Sequence, residues 1–82
     1  MAGLIIPFPL VQRRAWVRRQ AARMADLSEF AAQRHLCVEV DKQREVMRRR
    51  GVAPQRIERE CSAGSAAVRA ELGRLVQQGR SA

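Results

Sequence analysis

SEFAAQRHLCVEVDKQREVMRRRGVAPQRIERECSAGSAAVRAELGRLV, residues 28–76, decides the fold. Ala32, Leu36, Val40, Gln43 and Met47 recur in steps of three or four and share one stripe of a helix, with Cys37 flanking it. Beyond Gly51, the residues Ile57, Cys61, Gly64, Val68, Leu72 and Leu75 also step by three or four, the near-heptad seam of another helix. Between the two stands RRRGVAP, residues 48–54. Gly51 suits the left-handed position just past a helix end, and Pro54 suits a first turn, where its missing N–H has no intrahelical partner. The two helices, about 28–50 and 54–78, are therefore expected to fold back on one another as a long antiparallel hairpin. Turning the chain at residues 51–53 sets Met47 against Ile57, Val40 against Gly64, Leu36 against Val68 and Ala32 against Leu72. Glycine opposite Val40 permits a close approach of the axes, although glycine inside a helix costs ~1 kcal/mol relative to alanine.

The rest of the hairpin agrees with this reading. Ser28 is a good N-cap, and Glu29 sits in the first turn, where the helix dipole favours negative charge. Arg34, Asp41, Glu45, Arg48 and Arg49 fall opposite the apolar stripe, and Glu45 to Arg49 is an i,i+4 pair in the favourable order. Arg48, Arg49 and Arg50 crowd the last turn, where cations oppose the negative dipole end; the same run reads equally as a binding patch. Cys37 and Cys61 lie about six residues apart along the hairpin axis, roughly 9 Å at 1.5 Å per residue, and are not expected to bridge.

Working outward, residues 10–26, LVQRRAWVRRQAARMAD, form a first helix with Leu10, Val17, Ala21 and Met24 on one face. Arg13, Arg14, Arg18, Arg19 and Arg23 spread round much of the remaining surface, with no acidic residue before Asp26. Such a helix repels itself by a few tenths of a kcal/mol for each close i,i+4 pair, roughly, and an anionic partner would relieve the repulsion. Trp16 is read first as a core or interface anchor and second as a ring on which a base stacks. Residues 1–9, MAGLIIPFP, cannot be helical, because Pro7 and Pro9 remove backbone donors and push Ile6 and Phe8 into extended geometry. This apolar segment either covers the protein's own helices or docks on a partner. Residues 79–82 read as a frayed tail.

The opening IIPFPLVQRR, the Arg34-His35 pair, the hinge RRGVAP and the later AAVRAELGRLV resemble a family of short arginine-rich proteins of unknown function from rhizobia and related alphaproteobacteria. Its members also open with an aliphatic-Pro-Phe-Pro-Leu run followed by paired arginines. The similarity spans most of residues 5–76 and implies no activity. CSAGSA, residues 61–66, departs from the pattern, in which leucine-rich residues are more usual there.

Composition bounds what remains. Eighty-two residues make one domain, and a chain so short buries only about 60% of its unfolded surface, so a second copy is expected to add core as a homodimer. Sixteen Lys+Arg against eight Asp+Glu give a net charge of +8, a balance that attracts polyanions. Fifteen of the sixteen are arginine, which suits phosphate contacts and is also what GC-rich coding produces. Two cysteines without C-x-x-C spacing fit reduced thiols in the cytoplasm. The N-terminal apolar run is too short and proline-broken for a membrane span.

No catalytic, metal or cofactor site is expected. His35, the single histidine, has Glu39 one turn on, and a surface contact between them is the expected arrangement. The leading functional expectation is a small non-enzymatic regulator that binds DNA or RNA through Arg13, Arg14, Arg18, Arg19, Arg23, Arg48, Arg49, Arg50 and Arg56. The alternative is a protein-interaction module, an adaptor or antagonist of a larger regulator, built on Ile5, Ile6, Phe8, Leu10, Trp16, Val68, Leu72 and Leu75.

Overall fold

In a computed structural model the chain is described over residues 13–81, with side chains to residue 79. Three helices fill this span: α1 (Arg14–Ala25), α2 (Glu29–Arg49) and α3 (Pro54–Ser81), with no strand among the described residues. The protein is thus a small all-α three-helix structure. Each helix packs against both others. The long axis of the molecule, 46 Å in a 46 × 25 × 16 Å envelope, is essentially the length of α3, whose 28 residues span roughly 42 Å at 1.5 Å each.

The helix boundaries follow from local chemistry. Ser28 is extended and its hydroxyl oxygen accepts from the Ala31 amide at 3.2 Å, closing the N-terminus of α2. At the other end Gly51 takes φ +80°, its amide donates to the Arg48 carbonyl, and the Val52 amide donates to the Met47 carbonyl, both at 3.1 Å. This pair of bonds is the Schellman arrangement, and its accompanying apolar contact is present: Val52 is half-buried against the cluster that contains Met47. Pro54 opens α3, and Ile57 donates to Ala53 at 3.0 Å as its first helical bond. The helix continues to Ser81, three residues past the expected end at 78, since Gly79 costs only ~1 kcal/mol in a helix and no proline follows to stop it.

The core lies where the three helices meet and takes most of the predicted apolar positions, with Trp16 added on α1. Trp16, Val17, Ala21 and Met24 come from α1, Ala32, Leu36, Val40 and Met47 from α2, and Ile57, Cys61 and Val68 from α3. Leu36 of α2 and Val68 of α3 are the largest fully buried side chains, each contributing roughly 1.5–3 kcal/mol. Gly64 is buried, while Leu72 and Leu75 are half-buried at the edge of the cluster. The register is also tied by Arg44 of α2, whose guanidinium Nε donates to Glu58 of α3 at 2.9 Å. Both cysteines are free, Cys61 inside and Cys37 outside. Leu10 and the segment before it, including Ile5, Ile6 and Phe8, lie outside the described residues.

Candidate nucleic-acid interface

The arginines divide into those whose charge is answered within the protein and those whose charge is not. On α2 the Glu45 carboxylate accepts from Arg48 Nε at 2.9 Å and from Arg49 Nε at 3.1 Å, so one anion serves two cations of the Arg48–Arg50 run. The bond to Arg48, then the bond to Arg49, hold the Glu45 carboxyl down to about 2. Arg44 bonds both Asp41 and Glu58, Arg74 bonds Glu71 at 2.9 Å, and Lys42 bonds Glu39 at 3.0 Å. These pairs are solvent-exposed and worth about 0–1 kcal/mol each. Their consequence is for the field: among the described residues of α3 only Arg74 of the arginines is paired, and Arg56, Arg59 and Arg69 have no ion pair, but α2 neutralises most of its own charge.

Helix α1 does not. It has no acid in its first turn and no side-chain N-cap, so Arg14 stands against the positive end of the helix dipole. Arg14, Arg18, Arg19 and Arg23 are exposed and form no ion pair among the described residues. At helical spacing Arg14 and Arg18 make one row, Arg19 and Arg23 a second, and the exposed Ala15 and Ala22 lie between them. Each row is an i,i+4 like-charge pair that costs about 0.2–0.5 kcal/mol. What holds α1 is its other face, five consecutive buried positions of the stripe: Trp16, Val17, Gln20, Ala21 and Met24. Arg14 and Arg18, with Val17, also line a shallow depression that includes Glu71, the carboxylate already bonded to Arg74.

Arg13 behaves differently from its neighbours. It is half-buried, and its guanidinium donates to Gln43 Oε1 of α2 at 3.0 Å, which fixes the start of α1 against the middle of the hairpin. That bond sets Arg13 level with Gln43, six residues short of Arg49 or roughly 9 Å along α2, and because Gln20 lies beside His35 the arginines of α1 run from there away from the hairpin tip. Arg50 and Arg56 are exposed at the hinge without an ion pair among the described residues. Of the nine predicted phosphate-binding arginines, Arg14, Arg18, Arg19 and Arg23 form a double row on α1, Arg48, Arg49, Arg50 and Arg56 form a partly neutralised cluster at the hairpin tip, and Arg13 is held by Gln43.

Several predicted contacts take another form. His35 does not bond Glu39; its Nε2 lies 2.7 Å from Gln20 Oε1 of α1, so the ring donates through Nε2–H into the α1–α2 seam, and Glu39 takes Lys42 instead. The reason is that position 35 faces α1 and is only half-exposed. Trp16 and Val68 are buried in the chain's own core, so neither offers a surface to a second chain or to a base. The exposed aromatic among the described residues is Phe30, with Arg34 placed over its ring at 5.9 Å from the centroid. Phe30 lies off the apolar stripe of α2, two positions before Ala32, and that displacement was the available signal. Cys61 is buried, and desolvation pushes its thiol up despite the nearby Arg44 cation.

No group of three or more His, Cys, Asp or Glu among the described residues could hold a metal ion. No helix among them is long and apolar enough to cross a membrane. No protein of curated function and no solved structure matches the chain. A family model matches it over residues 1–82, and the chain belongs to that family, a family of unknown function designated DUF6074.

Proposed function

We propose that this protein is a small non-enzymatic regulator that binds nucleic acid through contacts between the arginines of α1 and phosphates. One observation carries the reading: α1 concentrates Arg14, Arg18, Arg19 and Arg23 without an acid or an ion pair among the described residues, while α2 answers most of its own charge. A helix that gives up stability to present unpaired guanidinium groups fits an anion that supplies the missing partner. Guanidinium suits phosphate because its planar fork donates in pairs. Arg50 and Arg56 at the hinge extend the positive surface, with Arg48 and Arg49 sharing their charge between Glu45 and the ligand. The protein acts in the cytoplasm as a homodimer, joined through the apolar edge of α3 where Leu72 and Leu75 are half-buried and Val76 is exposed.

Phosphate contacts of this kind are insensitive to sequence and sensitive to salt. Four to six of them on duplex DNA give a log–log salt slope of about −4 to −5, at about −0.9 per phosphate. Anisotropy titrations at several salt concentrations measure it. Replacing Arg14 and Arg18 by Gln lowers the slope by about two and weakens all sequences alike. Since both side chains are exposed, the variant keeps its helical circular dichroism. Affinity weaker than about 100 μM for both duplex DNA and single-stranded RNA at physiological salt is generic attraction, and it would replace this reading with the protein-interaction module.

A further inference from the structure

Phe30 is 73% exposed and Val38, two turns on, is 52% exposed. With Ala31, Arg34 and His35 they line a shallow apolar depression on α2. A ring this open is unusual in a small protein whose other described aromatic, Trp16, is in the core. Arg34, one turn from Phe30, lies over the ring at 5.9 Å from its centroid. With one face so covered, the high exposure of the ring leaves the other face for a planar group. The depression adjoins the α1–α2 seam, because His35 on its rim is the residue bonded to Gln20. On α1, Arg23 stands one turn beyond Gln20 and Arg19 one turn before Arg23, both without an ion pair among the described residues. The aromatic platform thus lies on the side of α2 that meets α1, the helix whose exposed arginines have no ion pair among the described residues.

We infer that Phe30, Arg34 and Val38 form a base-stacking platform for single-stranded nucleic acid, whose phosphates lie along Arg19 and Arg23. The inference rests on the nucleic-acid reading above and narrows it. In a duplex the base faces are stacked on each other and closed to a ring, whereas an unpaired strand offers a face at every nucleotide. Charge complementarity selects this occupant over a second copy of the chain, since a copy would bring its own Arg19, Arg23 and Arg34 to the same place.

The test compares an oligo-U RNA of about ten nucleotides with a DNA duplex of equal phosphate number, by anisotropy, for the full chain and for Phe30→Ala, Phe30→Leu and Phe30→Trp. Loss of one stacked base weakens single-strand binding between about fivefold and a hundredfold. The expected result is that loss for Ala and Leu, retention for Trp, an unchanged salt slope and unchanged duplex affinity. Because the ring is exposed, all three variants keep the wild-type circular dichroism and melting temperature. Single-strand affinity unchanged by Phe30→Ala, or an equal loss on both ligands, overturns the platform while leaving the arginine reading in place. A change in the light-scattering mass of Phe30→Ala also overturns it, since the ring would then be covered by a second copy. Failure of the wild-type protein to bind either ligand removes both proposals together.

Discussion

Gln20 stands on the apolar face of α1, where an unpartnered amide would cost about 1–3 kcal/mol, and His35 removes that cost by donating to it at 2.7 Å. Neither partner was legible alone, because nothing in a single sequence says which helix a half-exposed histidine faces. Gln20 did carry a signal, being a polar residue at apolar spacing between Val17 and Met24. The two thiols were easier to read. Cys61 belongs to the α3 seam by spacing and is buried, whereas Cys37 only flanks the α2 stripe and is exposed. Burial and the raised thiol pKa protect Cys61, since the thiolate is the reactive form. One thiol per chain should therefore react with a disulfide reagent in the native protein and two after denaturation. Equal reaction of both thiols before unfolding would contradict the burial of Cys61.

At the scale of the helix, the hinge was the most legible feature because its chemistry is local. Gly51 is required by its φ of +80°, a conformation in which a Cβ strains the backbone by roughly 1–2 kcal/mol. Nothing lies within 4 Å of the place a Cβ would occupy, so that cost is conformational and not steric. Gly51→Ala should lower stability by about 1 kcal/mol in urea melts and Gly51→Asn by less, because asparagine tolerates the left-handed region better. An alanine variant as stable as wild type would mean that the turn is not held in this form. The end of α3 was less legible, since Gly79 weakens a helix without ending it. Helix α1 shows a third case: its apolar face predicted its existence, but the bond from Arg13 to Gln43, which sets where it sits along the hairpin, joins residues thirty positions apart. Contacts at that separation leave no mark on local periodicity.

For the molecule as a whole, the packing of α2 against α3 was legible because each carries an apolar seam and a short hinge joins them. Placement of the charge was legible in part: the α1 arginines were exposed as expected, while the neutralisation of Arg48 and Arg49 by one glutamate required the structure. The assembly proposed above separates two kinds of apolar residue. Val68→Asp puts a charge where exposure is 0% and should abolish the helical circular dichroism of the chain. Val76→Asp alters a residue that is 44% exposed and should keep the helices while halving the mass seen by light scattering. A wild-type chain that scatters as one copy at micromolar concentration would end the dimer proposal. The architecture also has an order in time. Helix α3, which packs on both α1 and α2, leaves the ribosome after them, and until it does Trp16, Met24, Leu36 and Met47 lack part of their cover. The arginine helix is synthesised first. A nascent chain thus presents the unpaired arginines of α1 beside the RNA of the translating ribosome before α3 has completed the core.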